Sequence, residues 1–248
     1  MAAGRVRPIF WWLLGGALLA YVVTVTRKPR AVAPGFVALP GDTDRFSATD
    51  LRNALPEDGK RYFEIIQRVS QETGVSPVLL AAIMDVESAY GTLLSPPGPA
   101  GKGDGGHGHG LMQIDDRTHG VFLAERMPNG TPKWADPYEN VKYAAGIYKA
   151  ARDYFLKNPG AGAKVTVERG AASNKKGVPV GTYLDPRPMT REEAALAAIA
   201  GYNAGPPTVL RALAAGLPAD TVTTSSSRSG TPMPYLANVV AAVNKLTS

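Results

Sequence analysis

The chain contains no cysteine, so it has neither a disulfide framework nor a thiolate metal site. That absence leaves the compartment open, because a disulfide-free domain can be exported. Histidine is scarce, with 3 in 248 residues, and no His-Glu-x-x-His stretch occurs. Dense Lys/Arg stripes with interleaved aromatics are missing too, which argues against nucleic-acid binding. What is present describes a folded protein: 44% hydrophobic and 19% charged residues, in a length that suits one sizeable domain or a small domain plus extras. The 27 glycines and 21 prolines imply many loops. A formal net charge of +6 suits a polyanionic partner such as acidic lipid or an anionic wall.

Part of that charge is local. Arg5, Arg7, Arg27, Lys28 and Arg30 flank Ile9 to Thr26, an uncharged and mostly apolar run. The run lies at the short end of the roughly 17–25 residues that span a bilayer as helix. Trp11, Trp12 and Tyr21 suit interfacial belts. The rival is a cleaved signal peptide with Ala31-Val32-Ala33 as its small-x-small site. Basic residues separate that site from the apolar run and Pro34 follows it, so residues 1–30 are read as an uncleaved anchor and residues 31–48 as a linker. The domain proper is residues 49–248.

Within it the pattern is mainly helical. Tyr62, Ile65, Ile66 and Val69 share one face of a helix over Lys60–Thr73, closed by Gly74. Ser76-Pro77 reads as an N-cap with proline at the first helical position, opening a second helix that Gly91 ends. Residues 92–110 read as loop, with seven glycines from Gly98 to Gly110. Further helices are expected over Tyr138–Leu156, after the capping box Thr190-Arg191-Glu192-Glu193, and over Thr208–Ala215 and Met233–Leu246. A polar insert at about 160–188 carries a possible hairpin, Lys164–Glu168 against Val178–Val180.

Three carboxylates stand out. Glu87 lies in the last turn of an apolar helix, with Leu80, Ile83, Met84, Tyr90 and Gly91 on its face. Desolvation and the negative helix end both favour a protonated, acid-competent carboxyl there. Asp104 and Asp115 flank a glycine-rich loop and the stretch Leu111-Met112-Gln113-Ile114, which offers an apolar wall and an amide able to bond a sugar substituent. One raised-pKa acid and ionised carboxylates are what acid-catalysed glycoside cleavage requires. The competing reading takes Glu87 as a surface glutamate and the aspartates as solvated loop residues. His107, His109 and His119 with Asp104, Asp115 and Asp116 offer a metal site as another alternative, but without supporting context no metal or other cofactor is expected.

Glu87-Ser88 after an apolar helix, Gly110-Leu111-Met112-Gln113-Ile114-Asp115, and Ala200-Gly201-Tyr202-Asn203-Ala204-Gly205 come in the order seen in the lysozyme-like lytic transglycosylase superfamily. The stretch from Gly103-Asp104 to Thr118-His119 most resembles goose-type lysozyme, in a bacterial or phage version. The resemblance implies an α+β lysozyme-like fold, mainly helical with a small β element. It implies a peptidoglycan glycosidase with Glu87 as acid and with Asp104 and Asp115 positioning water. Met112, Gln113, His119, Tyr202, Asn203 and Tyr235 would then line the cleft. A lytic transglycosylase that forms 1,6-anhydromuramic acid with Glu87 alone is the alternative reading, and a non-catalytic wall-binding module or a metallopeptidase stands behind it. Peptidoglycan lies outside the cytoplasm, so the expected placement is single-pass in the inner membrane with the domain in the periplasm.

Overall fold

Ile66 and Val69 recur at helical spacing on helix α3 (Phe63–Thr73), and both are completely buried. That face is one wall of a helical core, seen in a computed structural model that describes residues 48–158, 189–214, 217–223, 225–226 and 233–247. The anchor and the hairpin expected near residues 164–180 lie outside the described residues. Among the described residues no helix is long and apolar enough to cross a membrane. Helix α1 (Ala48–Ala54) begins at the last position assigned to the linker and buries Leu51. A short turn, α2 (Glu57–Lys60), takes up the start expected for α3. Tyr62, with φ −100° and ψ 0°, breaks the helical path, so α3 starts at Phe63 rather than Lys60. Gly74 closes it in a left-handed conformation, φ 70°.

Helix α4 (Pro77–Ser88) runs through the centre. Val78 through Met84 are all buried, as befits a helix that is apolar all round. Two details depart from expectation. The Ser76 side chain makes no capping bond, so Pro77, with its preset φ, starts the helix without it. The helix also ends at Ser88, not Gly91, because Ala89 and Tyr90 both turn left-handed, with φ 48° and 57°. Ser88 explains the exit. Its hydroxyl, fully buried, donates to the Leu111 carbonyl at 2.7 Å and accepts the Gly91 N–H at 3.0 Å.

Residues 92–110, expected as loop, contribute two of three short strands. Strands β1 (Lys102–Gly103), β2 (Gly108–His109) and β3 (Ile114–Asp115) form an antiparallel sheet, pairing Gly103 with Gly108 and Gly108 with Asp115. The glycines are there for contact as much as for freedom. A Cβ on either Gly103 or Gly108 would collide with the Gln113 side-chain oxygen. Helix α5 (Asp116–Ala124) follows directly, with Asp115 as its N-cap.

Helix α6 (Pro137–Lys157) starts on Asp136, which accepts the Glu139 N–H at 3.0 Å, and packs against α3 and α7 (Arg191–Ala204). The Thr190/Glu193 capping box forms as the sequence implies, and the alanine-rich face of α7 is buried. Helix α8 (Pro206–Ala214) follows, two residues earlier than its apolar pattern suggested. The short pair β4 (Ser225–Ser226) and β5 (Met233–Pro234) precedes α9 (Tyr235–Thr247), which lies against α4. Met233 therefore belongs to a strand rather than to the last helix. The fold is mainly helical with a small three-stranded sheet, and α4 and α9 meet where Glu87 sits.

Candidate active site

Glu87 occupies the last turn of α4 and is half-buried. The Tyr235 hydroxyl, from the first residue of α9, donates to its Oε1 at 2.6 Å. Tyr235 is buried, and burial together with the nearby Glu87 charge holds its phenol protonated far above the usual range. Tyr202, on α7, has its phenol raised in the same way, by burial first and then by Glu87. Its hydroxyl donates to the Met112 carbonyl at 2.7 Å. Two tyrosines separated by 33 positions in sequence thus bear on the acid, Tyr235 by a hydrogen bond and Tyr202 through the Glu87 charge. Asn203, which follows Tyr202 on α7, is half-buried.

The loop that carries Met112 is pinned from below. Asn140, fully buried on α6, accepts the Met112 N–H at 2.9 Å and donates to the His109 carbonyl at 3.1 Å. Gly110 must be glycine here: its φ is 72°, and a Cβ would strike the Asn140 amide and lie 2.8 Å from the Trp134 carbonyl. Met112, expected at the cleft, is instead completely buried, with its N–H taken by Asn140 and its carbonyl by Tyr202. Gln113, at φ 48°, donates to the Gly110 carbonyl at 2.8 Å and covers the sheet glycines. Ala89, Tyr90, Asp104 and Gln113 are the non-glycine residues with positive φ among those described, and all four lie in or beside this region. Backbone strain of this kind collects where side chains must be aimed.

Asp104 and Asp115 are brought together, by a residue that sequence reasoning missed. Arg117 Nη2 donates to Asp104 Oδ2 at 2.9 Å and to Asp115 Oδ2 at 2.7 Å, while its Nε reaches Asp115 Oδ1 at 2.9 Å. Its backbone N–H also ends on Asp115 Oδ1, at 2.8 Å, in the N-cap bond of α5. The guanidinium holds the Asp115 carboxyl below the usual range, and the carboxylates in turn keep Arg117 charged. Both Asp115 oxygens are engaged, whereas Asp104 is exposed and its Oδ1 meets no partner among the described residues. The signal was legible as Asp115-Asp116-Arg117, an N-cap carboxylate with an arginine two residues on.

The histidines are occupied elsewhere. His107 Nδ1 lies 2.9 Å from Asp116 Oδ1, and His109 Nε2 lies 3.5 Å from Asp116 Oδ2 without hydrogen-bond alignment. His109 is buried edge-on against Trp134. His119 Nδ1 meets the Tyr143 hydroxyl at 3.1 Å. Among the described residues no three His, Cys, Asp or Glu side chains are grouped to hold a metal ion.

His109 and His119 also set a pH response. Burial pushes both below the usual value; for His109, Lys102 and His107 add to this and Asp116 opposes it. A folded pKa below the unfolded one means stability that is complete above about pH 6.5 and is lost as pH falls through the folded value. The thermal midpoint is therefore expected to decline as pH falls below about 6.5. His109→Asn should flatten part of that decline and leave the part due to His119; an unchanged slope in scanning calorimetry would count against the assignment.

The comparisons with known proteins concern the same region. Residues 44–128, which contain Glu87, Asp104, Asp115 and Arg117, match the family model described as Lysozyme g. Over 59 residues the chain is 42% identical to lysozyme g of Casuarius casuarius, covering 24% of this chain and 30% of that protein. Identity is also 42% over 59 residues to the lysozymes g of Dromaius novaehollandiae and Struthio camelus, covering 24% of this chain and 27% of each relative. The chain thus matches less than a third of the length of these relatives. The helix that carries Glu87 and the two aspartates that share Arg117 thus lie in the segment of the chain that is similar to lysozyme g.

Proposed function

We propose that this protein is a peptidoglycan muramidase that hydrolyses the β-1,4 bond between N-acetylmuramic acid and N-acetylglucosamine. The observation that carries the reading is Glu87 itself, half-buried at the end of an apolar helix with its Oε1 fixed by a buried phenol. Glu87 delivers its proton from the other oxygen to the glycosidic oxygen, and the leaving sugar departs with that proton. The Tyr235 hydrogen bond stabilises the carboxylate that remains, so it strengthens as the bond breaks. On the opposite face a water adds its hydroxyl to the anomeric carbon and gives its second proton to Asp104. Arg117 holds Asp104 and Asp115 side by side, which supports a division of labour. Asp115 anchors the arginine, and Asp104 presents a free oxygen to the water. Gln113, His119 and Asn203 are assigned to the cleft around the sugar. No cofactor enters this chemistry.

A lytic transglycosylase would use Glu87 alone, first as acid and then as base, and close a 1,6-anhydro ring. The aspartate pair favours water instead. The full chain, incubated with purified peptidoglycan, is expected to release muropeptides with reducing ends when these are resolved by liquid chromatography and mass spectrometry. A product mixture dominated by anhydro-muropeptides, each lighter by one water, would overturn hydrolysis; an intact substrate would overturn the enzyme. A chelator should leave the rate unchanged. The substrate lies outside the cytoplasm, and the basic-flanked apolar run at residues 9–26 supports an inner-membrane anchor with the domain in the periplasm.

A further inference from the structure

Helix α9 presents Tyr235 to Glu87 from its very first residue, where a helix is most prone to fray. The residue before it, Pro234, has no side-chain acceptor for the unpaired N–H groups of the first turn. Those groups are met from a different part of the chain. The Tyr235 N–H donates to Thr223 Oγ1 at 3.2 Å, the Leu236 N–H to Asp220 Oδ1 at 2.9 Å, and the Ala237 N–H to Asp220 Oδ2 at 3.1 Å. Thr223 in turn donates to Asp220 Oδ1 at 2.6 Å, which locks the two side chains into one acceptor surface. Asp220 stands in a single 3-10 turn (Ala219–Val222) and Thr223 directly after it. A carboxylate across two successive amides, with a hydroxyl on the third, also complements the positive end of the helix dipole.

We propose that Asp220 and Thr223 are positioning residues for the acid: by capping α9 from outside, they set where the Tyr235 hydroxyl meets Glu87. The inference rests on the muramidase reading for its catalytic consequence, though not for its structural one. Neither residue touches Glu87 or the aspartate pair in any hydrogen bond, and both lie well beyond the segment that matches Lysozyme g.

A double-mutant cycle on the full chain tests it. With a soluble peptidoglycan glycan as substrate, Asp220→Ala is expected to lower kcat by about 10- to 100-fold with little change in KM, the scale that a small misplacement of a catalytic partner produces. Tyr235→Phe should do the same, and the double variant should be no slower than Tyr235→Phe alone. Losses that multiply instead, or an Asp220→Ala kcat close to that of the unsubstituted chain, would overturn the proposal. Asp220→Asn, which keeps one acceptor oxygen, should fall between, and with Thr223→Val it supplies the cycle should Asp220→Ala not fold.

A second readout needs no activity. In chain labelled with 3-fluorotyrosine, the Tyr235 and Tyr202 fluorine resonances are assigned by their phenylalanine variants. Asp220→Asn should move the Tyr235 resonance and leave that of Tyr202 in place. A stationary Tyr235 signal overturns the positioning role even in an active enzyme. An inactive chain whose Tyr235 signal moves overturns the muramidase reading alone.

Discussion

Replacing Glu87 by glutamine is expected to lower kcat on peptidoglycan by about a thousandfold or more while leaving substrate binding nearly intact. Proton donation by a positioned side chain contributes roughly 10²–10⁴-fold, and here no second acid takes over. Arg117 holds the Asp115 carboxyl below the usual range and pairs with the exposed Asp104, and the phenols of Tyr202 and Tyr235 are pushed far from any working pH by burial. The glutamine amide keeps an oxygen for the Tyr235 hydroxyl, so the fold should tolerate the change. Sedimentation of the variant with insoluble peptidoglycan, beside release of soluble muropeptides, separates the two effects. Glu87→Gln that still cleaves at more than a tenth of the original rate would remove Glu87 from its role. Glu87→Asp is the finer test: it keeps the acid but withdraws it by one methylene, away from both Tyr235 and the sugar, and should retain activity between the two.

How much of this was legible in the sequence follows from what each residue's job depends on. Helix α4, the α7 capping box and the left-handed Gly74 are local: apolar spacing, a Thr-x-x-Glu pattern and a missing Cβ define them within a turn or two. Glu87 was legible for the same reason, because helix position and neighbours set its surroundings. The glycine-rich stretch misled. Its glycines read as freedom, whereas Gly103 and Gly108 are small so that Gln113 can lie across the sheet, a contact made by residues up to ten positions apart. The end of α4 misled as well, since Ser88 leaves the helix to reach a carbonyl 23 residues on. Arg117 was missed because its meaning lies in bridging Asp104 and Asp115, and only the β-register brings those two near. Asp220 was invisible for an extreme form of that reason: its partners are amides 16 and 17 positions away, and amides carry no sequence signal.

The largest effect on stability is expected at Asn140, which touches no catalytic side chain. Its amide spans two backbone groups of the loop, taking the Met112 N–H and giving to the His109 carbonyl, in a place with no exposure at all. Alanine there strands a buried donor and a buried acceptor and opens a small void. Leaving such groups unsatisfied costs about 1–3 kcal/mol each, so the change should destabilise by roughly 3 kcal/mol in a protein whose total is about 5–15 kcal/mol. For a chain of this size that corresponds to a thermal midpoint lower by about 6–12 °C, measurable by circular dichroism. Asn140→Asp is no remedy, because it retains the acceptor for Met112 but turns a carboxylate towards the His109 carbonyl. Activity should fall before the fold does. The Met112 carbonyl is where Tyr202 anchors, and the strand after it ends in Asp115, so loosening this loop disturbs both halves of the site at temperatures where the helices remain folded. The expected signature is an activity midpoint several degrees below the circular-dichroism midpoint in Asn140→Ala. Coincident midpoints, or a shift under about 2 °C, would mean that the loop holds its shape through Ser88 and the sheet alone.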